Sequence, residues 1–151
     1  MIELEMLTKM RRLAKFAHNK AGQKYGNSPY DYHLQQVEIE VSEILGYNHP
    51  YLVIHQIVAN GHDLFEDTDV DAEYLRHQGF SEIVIEAIEA ITKRNNESRK
   101  DYIERVKLNP IARAVKIADS LSNLTHSVRD GSIGRIKKYT SNLVMLHQNL
   151  L

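Results

Sequence analysis

Apolar residues recur at helical spacing through almost the whole chain, and no segment alternates between apolar and polar residues over the length of a strand. Three prolines and seven glycines punctuate 151 residues, so long stretches are free to stay helical. Met6, Met10 and Leu13 mark a first helix that closes near Gly22. Residues 22–30, GQKYGNSPY, are expected to be a loop because Gly, Asn, Ser and Pro favour turns. The pattern predicts an all-α fold.

Further helices are predicted between the remaining breakers. A second helix runs roughly from Asp31 to Leu45. The segment that begins at Pro50, YLVIHQIVANGHDLFED, is apolar nearly all round, which is typical of a central, buried helix. The other expected helices are a short one capped by Asp69 or Asp71 and ending at Gly79, one capped by Ser81, residues 98–107, a long one opened by Asn109–Pro110, and residues 135–151.

Size and composition limit the classes of protein to consider. A chain of 151 residues can build one core, so residues 1–151 are expected to form a single domain. The formal net charge of −1 gives no general attraction to nucleic acid or to a membrane surface. The absence of cysteine excludes disulfides and thiolate metal sites. With no signal-peptide pattern and no apolar run near about 20 residues, we expect a soluble cytoplasmic protein.

An acidic run, GHDLFEDTDVD at residues 61–71, first suggests a calcium loop. Asp67, Asp69 and Asp71 would take its first, third and fifth positions. However, the sixth position requires glycine and is Ala72, and the twelfth requires glutamate and is Gln78. The sequence therefore excludes a calcium loop of this type.

A helical interpretation of the same run gives a different site. If the helix from Pro50 continues to about Asp67, then His62 lies four residues before Glu66, and Asp63 lies four before Asp67. Side chains at these spacings share a face, and carboxylates held so close repel one another unless a cation or a proton intervenes. The alternative is a solvated turn whose acidic residues only cap the next helix.

Two distant residues favour a metal site over the solvated turn. His33 lies early in the second helix, and Asp119 lies within the apolar segment VKIADSLSNL, where an unpaired buried carboxylate is costly. Together with His62 and Asp63 they supply two imidazoles and two carboxylates from three helices. Such a mixed set suits Mn²⁺, Fe²⁺ or Zn²⁺ and leaves coordination positions open for water and substrate.

A lone His, an adjacent His-Asp pair and a distant Asp resemble the signature of HD-domain phosphohydrolases. The blocks AHNKAGQKYGNSPYDYH, HDLFEDT, the helix ending in ITKR, and VKIADSLSNL resemble, in the same order, the hydrolase domain of Rel/SpoT-type alarmone enzymes. They span roughly residues 14–125. The resemblance implies an all-helical HD-domain bundle, and the chain length implies a stand-alone hydrolase with no synthetase domain.

The resemblance also assigns residues. It implies a divalent metal, most simply Mn²⁺, held by His33, His62, Asp63 and Asp119. It gives Glu66 and Asp67 the task of orienting or deprotonating the attacking water, and it puts Asn123 near the sugar and phosphates of the substrate. The implied reaction of this family is removal of the 3′-pyrophosphate from guanosine penta- or tetraphosphate, the alarmones of the stringent response.

The residues expected to bind the substrate include one departure from the family. Cations suited to neutralising a pyrophosphate are Lys24, Lys93, Arg94 and Lys116. The family usually has an arginine two residues after the glutamine of the first loop, where this chain has QKYGN. Lysine lacks the planar fork of arginine, so we expect Lys24 to reach phosphate and Tyr25 to stack on the base.

Two other functions stay open at this point. The lost arginine favours an HD phosphohydrolase that acts on another phosphorylated nucleotide, such as a nucleoside monophosphate. The second alternative is a catalytically silent module that binds a nucleotide. The pair Glu66 and Asp67 argues against it, because a silent module has no need for two repelling carboxylates beside a metal.

Overall fold

Helices α1 to α9 make up most of residues 1–148, the part of the chain that this computed structural model describes. Their bounds are α1 Ile2–Lys20, α2 Tyr30–Leu45, α3 Leu52–Gly61, α4 Leu64–Asp67, α5 Ala72–His77, α6 Glu82–Ile91, α7 Arg99–Lys107, α8 Pro110–Asp130 and α9 Ile133–His147. An antiparallel hairpin of two short strands, β1 Lys24–Tyr25 and β2 Ser28–Pro29, connects α1 to α2. The all-α, single-domain prediction is confirmed. The last three residues of the predicted final helix, 149–151, lie outside the described part.

Side-chain caps set the starts of helices α5 to α8. Asp71, Ser81, Ser98 and Asn109 each accept a hydrogen bond from the backbone N–H three residues later. Such a bond satisfies one of the donors that a helix leaves free at its N-terminus. The predicted starts of α5 to α8 are confirmed, and Asp71 is the cap of α5. None of the helices in residues 1–148 combines the length and the apolar character that a membrane crossing requires.

Helix α3 lies at the centre of the bundle, as predicted, and contacts α1, α2, α6 and α8. At its last residue, Gly61, neighbouring side chains approach the backbone closely. A Cβ atom at Gly61 would lie 2.8 Å from Ile88 Cδ1 and 3.0 Å from Met10 Cε. The core therefore closes tightly around the backbone directly before His62.

The expectation of one helix from Pro50 to Asp67 is wrong. Helix α3 ends at Gly61, the chain turns at His62 and Asp63, and α4 begins at Leu64. In a continuing helix the Ala59 carbonyl would accept from the Asp63 N–H. Here it accepts from His62 Nδ1 at 2.6 Å, and Asp63 has φ −103° and ψ 3°. The imidazole N–H thus occupies the carbonyl to which the next backbone N–H of a longer helix would have donated.

The packing of α2, α3 and α8 positions the candidate site. These three helices contact one another, and α9 lies against α7 and α8. The predicted inward stripe of α9 is confirmed: Leu146 is fully buried, and Ile136, Tyr139 and Leu143 are partly buried. As a result, α9 closes one side of the space into which α2 and α8 direct polar side chains.

Candidate metal centre

Two imidazoles and one carboxylate meet in the buried space between α2, α8 and the end of α3. His33, His62 and Asp119 are all buried, and their ligand atoms lie within 4.8 Å of one another. Asp119 Oδ1 is 2.9 Å from His33 Nε2 and 3.4 Å from His62 Nε2. Neighbouring ligands of one divalent cation, with bonds of about 2.1 Å, lie about 3–3.5 Å apart. The separations therefore fit a single cation.

Asp63, the fourth predicted ligand, lies at the edge of this cluster. Its Oδ2 atom is 3.0 Å from His62 Nε2 and accepts a hydrogen bond from the Tyr30 hydroxyl. The Asp63 side chain is 19% exposed, whereas that of His62 is 1% exposed. The carboxylate therefore adjoins the same imidazole nitrogen from the solvent side.

The two ring nitrogens of His62 have different surroundings. Nδ1 donates to the Ala59 carbonyl, so the neutral ring leaves its lone pair on Nε2. Nε2 is buried and finds no hydrogen-bond partner among the described residues, although it faces Asp63 and Asp119. Burial alone would lower the pKa of His62, but these two carboxylates raise it well above its ordinary value. The two carboxylates therefore stabilise positive charge at Nε2, whether that of a proton or that of a bound cation.

Asp119 stays ionised inside the apolar helix α8 because several groups compensate its charge. Lys116 Nζ lies 2.9 Å from its Oδ2, and Asn123 Nδ2 donates to its Oδ1 at 3.0 Å. Burial alone would raise the pKa of Asp119, but Lys116, His33 and His62 hold it well below the usual range. The carboxylate is therefore available as an anionic ligand.

The acidic pair that follows α3 is held by residues from distant segments. Glu66 Oε1 accepts a hydrogen bond of 2.6 Å from the Lys93 N–H, and Asp67 Oδ2 accepts one of 3.0 Å from Gln23 Nε2. Burial raises the pKa of Glu66, the Lys93 N–H opposes this, and the charge of Asp63 adds to it. A carboxylate with a raised pKa takes up a proton more readily, as a general base must.

A cavity of about 390 Å³ opens over the cluster. Its lining includes Glu66 and Asp67 together with four of the six predicted substrate-binding residues: Tyr25, Lys93, Lys116 and Asn123. Lys24 does not line it and lies exposed on β1. Arg94 lines a separate depression beside Arg105. The structure therefore brings four of the six together and leaves Lys24 and Arg94 outside.

Tyr25 contacts the cluster of candidate metal ligands directly. Its ring stacks on His33 at 4.5 Å between centroids with 15° between planes, and its hydroxyl donates to Asn123 Oδ1 at 2.7 Å. The His126 ring packs perpendicular to the Tyr25 ring, with 4.8 Å between centroids. Tyr25 thus covers one face of His33, a candidate metal ligand. A stacking contact between Tyr25 and a base stays a prediction.

Sequence reasoning missed six residues that line the cavity: Tyr30, Arg99, Tyr102, Lys138, Tyr139 and Asn142. A signal existed for two of them. Tyr139 belongs to the inward stripe of α9, and Asn142 is a polar residue one turn further along the same helix. Arg99 and Lys138 look like ordinary surface cations in the sequence. Only the packing of α7 and α9 reveals where they lie.

The loop that carries Lys93 is clamped by Arg105 of α7. The Arg105 guanidinium donates to Glu97 at 2.8 and 3.0 Å, to the Ala90 carbonyl at 2.9 Å and to the Thr92 carbonyl at 2.7 Å. Hydrogen bonds from Arg105 lower the pKa of Glu97 to about 2. The clamp ties the end of α6 to α7 and so fixes the N–H that binds Glu66.

Glu97→Gln is expected to lower the free energy of unfolding by about 1–3 kcal/mol at pH 7, because it replaces hydrogen bonds to a charged acceptor. A carboxylate whose pKa is depressed on folding stabilises the protein above its ordinary pKa of 4.5, and this contribution is lost as the pH falls toward about 2. The gap between wild type and variant should therefore narrow below pH 4.5. Urea unfolding at pH 7 and pH 3.5 measures it.

The control is Glu73→Gln, which removes the exposed ion pair with Arg76. This change should cost less than about 1 kcal/mol at either pH. A difference between Glu97→Gln and wild type that stays constant from pH 7 to pH 3.5 would contradict the assigned charge on Glu97.

No model of a known protein family matches the chain, and no curated protein matches it.

Proposed function

We propose that the protein is a divalent metal-dependent phosphohydrolase that removes the 3′-pyrophosphate of guanosine penta- or tetraphosphate. The observation that carries the proposal is the buried group of His33, His62 and Asp119, whose ligand atoms lie within 4.8 Å of one another beneath a cavity. The sequence resemblance to Rel/SpoT-type hydrolases supports the alarmone substrate and Mn²⁺ as the cation. The proposal includes a cytoplasmic location, where phosphorylated nucleotides occur.

The donor set suits hydrolysis of a phosphate ester or anhydride. The chemistry that a divalent cation supplies in such a site is polarisation of a phosphoryl oxygen and a lowered pKa of water. His33, His62, Asp63 and Asp119 are the residues that would hold it. Glu66 and Asp67 border the same cavity, and we assign them the orientation of the attacking water and the acceptance of its proton.

Cations around the cavity balance the charge of a pyrophosphate. Lys93, Arg99, Lys116 and Lys138 line it and come from four different segments of the chain. Lys116 already contacts Asp119 at 2.9 Å, so it adds positive charge beside the ligand without being free to move. Lys93, Arg99 and Lys138 are the groups that we assign to the phosphates of the substrate.

A second candidate is hydrolysis of another phosphorylated nucleotide, and the surroundings of Tyr25 favour keeping it. One face of the Tyr25 ring is covered by His33, and Lys24 lies outside the cavity. Both features weaken the base and phosphate contacts expected from the first loop. A nucleoside monophosphate or a phosphorylated dinucleotide would depend less on that loop.

The test is a product-resolved nucleotide panel on purified protein loaded with Mn²⁺, Zn²⁺, Fe²⁺ or Mg²⁺. The panel contains guanosine tetra- and pentaphosphate, the adenosine analogue, nucleoside monophosphates and phosphorylated dinucleotides. With water, guanosine tetraphosphate should give one GDP and one pyrophosphate per turnover. Anion-exchange chromatography of the nucleotides and a pyrophosphate assay quantify both products.

The outcomes separate the candidate functions. Stoichiometric GDP and pyrophosphate support the alarmone reaction, and orthophosphate from a monophosphate or a dinucleotide selects the second candidate. A nucleotide that raises the melting temperature of the metal-loaded protein without being hydrolysed would indicate a binding module. Neither hydrolysis nor stabilisation by any member of the panel would contradict both enzymatic proposals.

A further inference from the structure

His18, at the end of α1, is completely buried and takes no part in the metal cluster. Its Nδ1 atom lies 2.6 Å from Gln23 Oε1, and its ring lies 4.5 Å from that of Tyr30. The Gln23 backbone N–H also donates to the His18 carbonyl at 3.0 Å. Gln23 is therefore held against His18 through both its backbone and its side chain.

The other end of the Gln23 amide reaches the acidic pair. Gln23 Nε2 donates to Asp67 Oδ2 at 3.0 Å. An ionised carboxylate only accepts hydrogen bonds, so the NH₂ end of the amide must face Asp67 and its oxygen must face His18. An oxygen also only accepts, so His18 must carry its proton on Nδ1. The three side chains thus form a chain of donors with one direction, from His18 through Gln23 to Asp67.

The surroundings of His18 agree with a neutral ring of this tautomer. Burial lowers the pKa of His18, although the hydrogen bond with Gln23 and the charges of Asp63 and Asp67 oppose the shift. The Nε2 atom is buried and without a hydrogen-bond partner among residues 1–148. A bare lone pair on Nε2 costs less than an unsatisfied N–H there, because buried N–H groups are almost always paired.

We propose that His18 and Gln23 are positioning residues that orient the Asp67 carboxylate toward the attacking water. The inference rests on the proposed function, in which Asp67 acts on that water. The Gln23 donor occupies Oδ2, and Oδ1 accepts no hydrogen bond from residues 1–148, so Oδ1 is the oxygen that can receive a proton. Asp67 is the last residue of the four-residue helix α4, and the Gln23 amide holds its side chain from a different segment of the chain.

The tautomer of His18 tests the donor chain independently of activity. ¹⁵N NMR of imidazole-labelled protein distinguishes a protonated Nδ1 from a protonated Nε2. We expect Nδ1–H in wild type, and we expect Asp67→Asn to shift the side-chain amide resonances of Gln23. A His18 ring protonated on Nε2, or a Gln23 amide that does not respond to Asp67→Asn, would overturn the proposal even if no substrate had been found.

Kinetics test the positioning role. Gln23→Glu replaces the donor by an acceptor and should lower kcat by about 10- to 100-fold, the scale on which misorientation of a reacting group acts. KM and the bound metal should stay near their wild-type values. The control is Gln56→Glu, at a glutamine that is also half-buried but donates to the Ser42 hydroxyl at 3.1 Å. It should leave kcat within about 3-fold of wild type.

Two substitutions of His18 separate orientation from packing. His18→Asn keeps an N–H donor near the position of Nδ1 and should retain most of kcat, whereas His18→Leu fills the space without a donor and should behave like Gln23→Glu. Thermal unfolding of both variants shows whether they fold. If folded His18→Leu and Gln23→Glu both turn over substrate at the wild-type rate, the donor chain has no positioning role. If only the nucleotide panel fails, the tautomer measurement still decides whether the donor chain exists.

Discussion

Alanine at Glu66 or at Asp67 is expected to cut turnover of the best substrate by about 100-fold or more while the metal stays bound. A positioned acid or base contributes about 10²- to 10⁴-fold to rate. Both carboxylates border the cavity, and each is held by a donor from another segment, Lys93 or Gln23, rather than by the buried ligand cluster. Removing either should therefore affect chemistry more than metal binding.

The matched control for this pair is Asp69→Ala. Asp69 is an exposed acidic residue in the turn after α4, and it does not line the cavity above the metal cluster. Its loss should change kcat by less than about 2-fold, as expected of a surface position. Metal content by elemental analysis should be about one ion per chain in all three variants. Wild-type kcat in both Glu66→Ala and Asp67→Ala would refute the assigned roles.

Asp119→Asn is expected to abolish metal binding and to destabilise the metal-free protein by about 3–5 kcal/mol, the usual cost of breaking one side of a buried ion pair. Its carboxylate is both a proposed metal ligand and the partner of the buried Lys116 ammonium, at 2.9 Å. In wild type, metal at about 1,000 times its dissociation constant should add about 4 kcal/mol. For a chain of this size that corresponds to a rise of about 8–16 °C in Tm.

Lys116→Met distinguishes the loss of the buried ion pair from the loss of metal binding, both of which occur in Asp119→Asn. It removes the buried ammonium but keeps every ligand, so its Tm should still fall when a chelator is added. The Tm of Asp119→Asn should be the same with metal and with chelator. Differential scanning fluorimetry in both conditions measures this. An equal chelator-sensitive shift in wild type and Asp119→Asn would show that the metal binds elsewhere.

Helix positions could be predicted because their signals are local. Ser81, Ser98 and Asn109 each cap a helix through a backbone N–H three residues away, and Pro110 opens α8 where its missing N–H is harmless. The break after Gly61 could not be predicted in this way. The break depends on a hydrogen bond from the His62 ring to the Ala59 carbonyl. The rotamer that makes this bond does not alter the hydrophobic periodicity of the sequence.

The buried part of the site could be predicted for a different reason. A histidine or aspartate within an apolar helix requires a compensating partner, and His33, His62 and Asp119 do meet in the structure. Surface cations carry no such requirement, so nothing in the sequence distinguished Arg99 and Lys138, which line the cavity, from Lys24 and Arg94, which do not. Their placement is decided by how α7 and α9 pack.

The separation of His33 and Asp119 along the chain also determines when the site can form. The two side chains meet across 86 residues. Closing so long a loop costs conformational entropy before any contact offsets it, and non-local contacts of this kind slow folding. The candidate ligand atoms come together only after α2, α3 and α8 have docked. Because Asp119 belongs to α8, the complete set of candidate ligands exists only once α8 has been synthesised and has packed, so a cation that needs all of them would enter an assembled bundle rather than nucleate it.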